Sequence, residues 1–333
     1  DASSPMTFLE YKWTKSLTGP SDLVKIINAI QKWVSAPDFP AEIGFHTQLG
    51  PASRLDIPAG WNPTKEQFTF HLRGMALNPS DKYKPWSDKL HDLLVAQDAL
   101  EPDFWAEKQV DWFQLQEMWD DFGSPGKKLD TVSEHAIHNK FVAKTVVSSD
   151  HRKPFTQAAL EESMHFIWDT MVELFHVPKQ WSWNVYLEMM GGSNAKYRDD
   201  KTLVQDSSFP HRDALWLIQA SVGTSARGLL DARAHKVIAD LDRVFTKAVH
   251  DSGSKPVSYG CYTDGDKTRD GSWKEDYYGS SVARLEKLKH EIDPINLFRN
   301  PQTFGPALGA QGQGQNKLNG DGQHVISLAH PLP

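Results

Sequence analysis

The sequence predicts an α+β fold, a large antiparallel sheet flanked by helices on one face. Short alternating segments and longer amphipathic ones follow each other along the chain, the spacing of βαβ units is sparse, and no internal repeat is visible. A chain of 333 residues is long enough to bury a substantial core. A hydrophobic fraction of 39% with 24% charged residues is that of a globular protein rather than a disordered one.

The elements are justified in order. Residues 7–14 alternate, with Phe8, Glu10 and Lys12 on one side and Leu9, Tyr11 and Trp13 on the other, as in a strand. Pro20-Ser21-Asp22 opens a helix whose Leu23, Ile26, Ile27, Ile30, Trp33 and Val34 form one apolar stripe. Strands are predicted at 41–48 and 67–76, and a helix at 86–98. Segment 109–121 is aromatic and acidic, and reads either as a groove lining or as a half-buried helix or strand. Helices are predicted at 131–145 and 156–176, the second with Leu160, Met164, Ile167, Met171 and Leu174 as its stripe. Residues 181–190 alternate again, so Asn184, Tyr186 and Glu188 share a polar face opposite Trp183, Val185 and Leu187. A strand is expected in the second half of 209–222. A long helix follows at 227–250, with Leu229, Leu230, Val237, Ile238, Leu241, Val244 and Phe245 facing inward. Beyond 306 the Gly/Gln/Asn-rich tail predicts no packed element.

Composition excludes several classes. A net charge of −7 without a long Lys/Arg run argues against nucleic acid as a partner. No apolar run approaches the ~18 residues of a membrane-spanning helix. Cys261 is the only cysteine, so no intramolecular disulfide can form. His135 and His138 stand three apart on a predicted helix without an evident third ligand, so no metal site is predicted. Neither G-x-S-x-G nor H-E-x-x-H occurs, which leaves a hydrolase without a motif. The twelve tryptophans suit packed cores or flat stacking surfaces for sugars and aromatic rings. The chain opens D-A-S-S-P-M without a start methionine or signal peptide, and so reads as a processed or excised product.

The most specific stretch is 257–301. It runs V-S-Y-G-C-Y-T-D-G-D, then W-K-E-D-Y-Y-G, then a helical segment with Val282, Leu285, Leu288 and Ile292 at helical spacing, stopped by Asp293-Pro294. With its closing D-P-x-N-x-F-R-N-P-Q, this order resembles the C-terminal end of the berberine-bridge-type flavin-linked oxidases. That family includes plant alkaloid and cannabinoid enzymes and fungal oligosaccharide oxidases, and the chain is most similar in feel to the last group. Gly191-Gly192 after a strand, F-P-H-R at 209–212 and the turn at 259–264 follow in family order, so the resemblance spans roughly residues 7–306. It implies a substrate-binding domain at 7–256, a berberine-bridge-type C-terminal segment at 257–306 whose helices return to an FAD domain, and an irregular tail at 307–333. No Gly-rich phosphate-binding stretch is identified, so the resemblance implies that FAD is bound mainly by a domain outside this chain, supplied by an N-terminal fragment. It also implies a secreted protein.

The activity implied is an FAD-dependent oxidase acting on a hydroxyl of a carbohydrate or similar small molecule, with a hydride passed to the flavin and then to oxygen or another acceptor. Tyr262 matches the family's catalytic base and Tyr259 the first tyrosine of its Y-x-N-Y-x-D turn, while Cys261 stands in place of the usual Asn. A phenol acts as a base only if its pKa, ordinarily ~10, is lowered by positive charge or hydrogen bonds. The residues alone leave open the plainer reading of two tyrosines packing a turn. Glu188 matches an acid that hydrogen-bonds the base, and Tyr186 and Gln219 match pocket positions. Arg73 stands where sugar oxidases carry a carboxylate, which implies a carboxylate-bearing substrate, a surface arginine being the competing reading. Asn300 and Gln302, in the closing motif, fall on the cofactor side. Trp183 or Trp112 would supply a stacking surface. A different class competes with the enzyme: a non-catalytic carbohydrate-binding protein built on an oxidase scaffold that lacks its flavin half.

Overall fold

The computed structural model describes residues 4–14, 17–51, 68–77, 79–120, 140–175, 177, 181–191, 207–224 and 228–305. The chain divides into two compact units, Asp1–Gly279 and Ser280–Pro333.

The first unit is built on an eight-stranded sheet in the order β4-β1-β3-β2-β6-β7-β5-β8. The strands are β1 (Met6–Trp13), β2 (Ile43–Pro51), β3 (Phe68–Ala76), β4 (Phe104–Val110), β5 (Lys140–Ser148), β6 (Trp181–Met189), β7 (Trp216–Thr224) and the two-residue β8 (Pro256–Val257). All the pairings are antiparallel. The predicted α+β architecture with one large antiparallel sheet is therefore the observed one.

One face of the sheet is covered by helices. These are α1 (Pro20–Val34), α2 (Ser80–Ala96), α4 (Gln157–Phe175) and α5 (Ala232–Asp251), packed side by side in the order α2, α1, α4, α5. The predicted stripe of α1 is fully inside, and Leu9, Tyr11 and Trp13 of β1 meet it from the sheet. Pro20 sits at the first helical position, where its missing N–H costs nothing, and the Asp22 carboxylate reaches back to the Gly19 N–H at 3.2 Å. In α5 the Asp231 carboxylate caps the start by accepting from Ala234 N at 2.8 Å, and the Trp181 indole donates to the same oxygen at 3.1 Å. The opposite face of the sheet carries the half-buried alternate residues of every central strand. This strand period of two is what separates a dry side from a polar side.

Several sequence expectations are corrected. The helix expected at 131–145 lies partly outside the described residues, and from Lys140 on it is strand β5. The run Val142, Val146 and Val147 with Thr145 favours a pleated surface over a helical one, because β-branched side chains lose χ1 freedom in a helix. The helix expected from 86 starts at Ser80 and carries Pro85 inside it, since the buried Tyr83 anchors its first turn. The ambiguous segment 109–121 resolves into the end of β4 and a helix α3 (Trp112–Asp120) anchored by the buried Leu115. The long helix starts only at Ala232, which leaves Leu229 exposed instead of inward. Two short helices, α6 (Gly265–Asp270) and α7 (Trp273–Tyr278), had no counterpart in the sequence reading.

In the second unit, α8 (Val282–Ile292) forms as expected and ends at Asp293. The Asp293 carboxylate explains the closing motif. It takes the Lys289 ammonium at 2.5 Å and accepts from the backbone N–H groups of Leu297 at 2.7 Å and Phe298 at 3.0 Å, which folds the chain into a turn directly after the helix. Among the described residues no helix is long and apolar enough to cross a membrane.

Candidate active site

The antiparallel register lines up polar residues in two rows across the open face of the sheet. One row is Lys12, His71, Gln48, Tyr186, Gln219 and Thr145, each the cross-strand partner of the next. The other is Glu10, Arg73, His46, Glu188, Leu217 and Val147, and it continues to Val257 of β8. Directly opposite residues are in side-chain contact range, so each row is a chain of neighbours. The predicted Tyr186, Glu188, Gln219 and Arg73 thus stand on one face.

The apolar end of the second row is the pad on which the tyrosine turn rests. Val147, Leu217, Val257 and Ala214 form a small core against which Tyr259 and Tyr262 pack. The two rings lie 6.0 Å apart, and Phe209 meets Tyr259 edge-on at 5.8 Å. The turn is tied down from below. Tyr259 N donates to Thr145 Oγ1 at 3.1 Å, Tyr262 N to the Tyr259 carbonyl at 3.2 Å, and the Ser258 carbonyl contacts the buried His211 at 3.1 Å. His211, in the F-P-H-R motif, therefore helps to fix the start of the turn.

The electrostatics of this corner are set by burial. Burial raises the Tyr262 phenol above its ordinary value, and the charges of Glu188 and Cys261 raise it further. The Tyr186 phenol is raised by burial, then by Tyr262 and Glu188. Glu188 is itself raised by burial. The Cys261 side chain hydrogen-bonds the Tyr259 hydroxyl and, with burial, pushes it up to about 12. The residues of this chain therefore hold the Tyr262 proton on, contrary to the lowered pKa that a phenolic base calls for. Among the described residues Glu188 acts on Tyr262 through its charge and not through a hydrogen bond.

At the other end of the rows a charged group is sealed in. Arg73 is buried, not on the surface as the competing reading had it, with only 9% of its side chain exposed. It donates to Glu10 at 3.1 Å, and His71 Nε2 donates to the same oxygen at 3.0 Å with Lys12 at 3.4 Å. Burial pushes the Glu10 carboxyl up, but the His71 hydrogen bond and the Lys12 and Arg73 charges outweigh it and hold it at about 2. Between the two ends, His46 faces Glu188 across the strands, its ring 6.1 Å from that of Tyr186. Burial, with the charges of His71 and Arg73, lowers His46 to about 4, so it is a neutral imidazole. A cleft of roughly 450 Å³ opens here, lined by Gly44, His46, Met75, Glu188 and Gly191 among others.

Not every predicted residue joins the face. Trp183 is fully buried on the helix side, because odd positions of β6 point into the core, so it offers no stacking surface. Trp112 lies exposed on α3, which packs through Leu115 and Met118 against Phe8 and Met75 at the opposite end of the sheet from the tyrosine turn. Asn300 and Gln302 belong to the second unit, where Asn300 Oδ1 accepts from Gln302 N at 2.7 Å and closes a tight turn. Among the described residues no cluster of His, Cys, Asp or Glu is placed to hold a metal ion. His135 and His138 lie outside the described residues.

Residues 258–303 match the family described as "Berberine and berberine like". That C-terminal segment is similar to the berberine-bridge-like family. A chitooligosaccharide oxidase of Gibberella zeae is 26% identical over 59% of this chain and 37% of its own length. Berberine bridge enzyme-like C-1 of Nicotiana tabacum is 24% identical over 89% of this chain and 54% of its own. A solved chitooligosaccharide oxidase superposes with a TM-score of 0.66 at 20% identity, covering 91% of this chain and 56% of that one. This last likeness concerns the fold. The chain thus spans about half the length of the relatives it matches, or less.

The berberine-bridge-like segment starts one residue after β8 and includes both tyrosines, so the family's signature and the polar rows meet at one corner. Sequence reasoning missed two residues there. His46 sits in a segment read only as a strand, and the signal that finds it is its place two residues before Gln48, on the same face. Glu10 was assigned to the correct side of its strand, but nothing in the sequence pairs it with Arg73.

Proposed function

We propose that this chain is the substrate-binding and base-bearing part of an FAD-dependent oxidase acting on a hydroxyl of a carbohydrate. The observation that carries the reading is the convergence of Tyr262, Tyr186, Glu188, Gln219 and His46 on one half-buried polar face, at the family's tyrosine turn. A polar sheet face left open beside a cleft fits one wall of a site for a flat ring and a hydroxylated ligand. FAD, when bound, supplies the hydride acceptor, and Asn300 and Gln302 are the residues of this chain assigned to its contacts. Carbohydrate oxidation is what the names of two fungal relatives denote, a chitooligosaccharide oxidase and a carbohydrate oxidase, and it is carried over on that basis.

Each residue then has a task. Tyr262 takes the proton of the reacting substrate hydroxyl as its phenolate, after its own proton has been released to solvent. Since its surroundings disfavour the phenolate, Glu188 has to be protonated or hydrogen-bonded before the phenol releases its proton, so the pair titrates together. Gln219, Tyr186 and Tyr259 offer hydrogen bonds to substrate hydroxyls, and neutral His46 offers one donor and one acceptor. Arg73 meets an acidic sugar along the same row, but Glu10 already matches its charge. A neutral oligosaccharide is the substrate this face fits better.

The second reading, a carbohydrate-binding protein without catalysis, is favoured by the raised Tyr262 pKa and by Cys261 in the turn. One experiment separates the two. Native material is mixed anaerobically with neutral and uronic oligosaccharides while the flavin absorbance is followed. Bleaching by a neutral oligosaccharide is expected. A colourless protein that binds sugar, or a flavoprotein that no sugar bleaches, would overturn the oxidase reading.

A further inference from the structure

We propose that Lys144 is a positioning residue, which holds the Asp264 carboxylate at the edge of the sheet and so fixes the turn that carries Tyr262. The inference rests on the reading of Tyr262 as the base. The turn is tied to β5 by two consecutive residues that leave opposite faces of the strand. Thr145, on the open face, takes its first half: its carbonyl accepts from Ser258 Oγ at 2.9 Å and its Oγ1 from Tyr259 N at 3.1 Å. Lys144, in register with Ala220 on the helix-covered side, takes its second half. The ammonium lies 2.8 Å from both Asp264 oxygens and 2.5 Å from Asp266. Tyr262 sits between these two ties.

The Lys144 pair is built rather than incidental. The two side chains are only 9% and 7% exposed, so the ammonium is desolvated for these carboxylates. Asp242 of α5 adds its charge from the helix side, and Lys267, held by Asp276 at 2.5 Å, is a second cation facing the cluster. Asp264 also caps α6 by accepting from Asp266 N at 2.8 Å, and its own N–H donates to the Tyr277 hydroxyl at 3.0 Å. Loss of the Lys144 cation leaves a buried carboxylate beside two others. The carboxylate escapes to water by pulling the turn outward. Tyr262, two residues away, moves with it.

The test uses the flavin-bearing holoenzyme with K144M, K144R and K144M/D264N, each also made with Y262F. Two readouts are taken. The first is the Tyr262 titration, isolated as the tyrosinate absorbance lost with Y262F; the titratable groups facing the phenol are Glu188, Tyr186, Tyr259 and Cys261. The second is kcat and KM on the oligosaccharide that bleaches the flavin. With K144M, Tyr262 is expected to titrate closer to the ordinary ~10, because the phenol leaves its half-buried place against Val147 and Leu217. The expected loss in kcat is about a hundredfold with KM little changed, as for a misplaced reacting group. K144R should restore both readouts. If K144M does not fold, K144M/D264N carries the test: it leaves no Asp264 charge to expel, but it has lost the Lys144–Asp264 tie as well, so the freed turn still displaces the titration. An unchanged titration and kcat in both Met variants would sink the proposal. If Y262F alone keeps full kcat, the base reading falls instead, and the titration still decides whether Lys144 fixes the turn.

Discussion

Tyr262 and Glu188 oppose each other in this chain, since burial raises both and each proton lost makes the other harder to remove. Replacing Glu188 with Gln removes a charge that disfavours the phenolate. The expected outcome is a Tyr262 titration at lower pH, read by tyrosinate absorbance; a shift to higher pH would show that Glu188 assists the phenolate. The same substitution has a stability sign. A carboxyl whose folded pKa is raised costs stability above its unfolded pKa, so E188Q should raise the melting temperature at neutral pH and have little effect in acid. Glu10 behaves in the opposite way. Its folded value is lowered from 4.5 to about 2, so its contribution is present above 4.5 and lost as pH falls through about 2. In E10Q the loss of unfolding free energy across that window should be smaller than in the native protein, measured by urea titration at stepped pH. An equal loss would mean that Arg73 and His71 do not hold the carboxylate. Neither effect is legible in the sequence. The assignment of Glu10, Glu188 and Tyr186 to their faces needs only the period of two, but their pKa values depend on which strands lie next to each other.

At the scale of elements, the sequence is readable where one face is dry and the other wet. The α1 stripe is buried, and the alternation at 181–190 places Trp183 in the core while Tyr186 and Glu188 face outward. Trp183→Ala should cost ~3–5 kcal/mol of stability by urea denaturation, as for a large aromatic removed from a packed core. A cost below ~1 kcal/mol would mean that the indole is not enclosed. Strand β5 was misread because its residues carry mixed signals. Lys140, Lys144 and Ala143 favour a helix, while its valines favour a strand, and what decides is the ladder with β7, distant in sequence. Tertiary pairing overrode local preference there. The helix expected only from 86 begins six residues earlier for the same reason, since Tyr83 and Ser87 on either side of Pro85 are buried within α2.

At the scale of the molecule, the sheet separates two tasks. Its helix-covered face carries stability, and its open face presents a row of polar groups that ends at a phenol. The chain spans about half of its relatives, and the oxidase reading therefore requires a flavin against this open face. The account is tested most directly by the rate at which a bleaching oligosaccharide reduces the flavin in single-turnover, comparing the native holoprotein with Y262F. Loss of a general base predicts a rate ~10²–10⁴-fold lower with substrate affinity retained. An unchanged rate would contradict the assignment of Tyr262 and leave the open face as a binding surface alone.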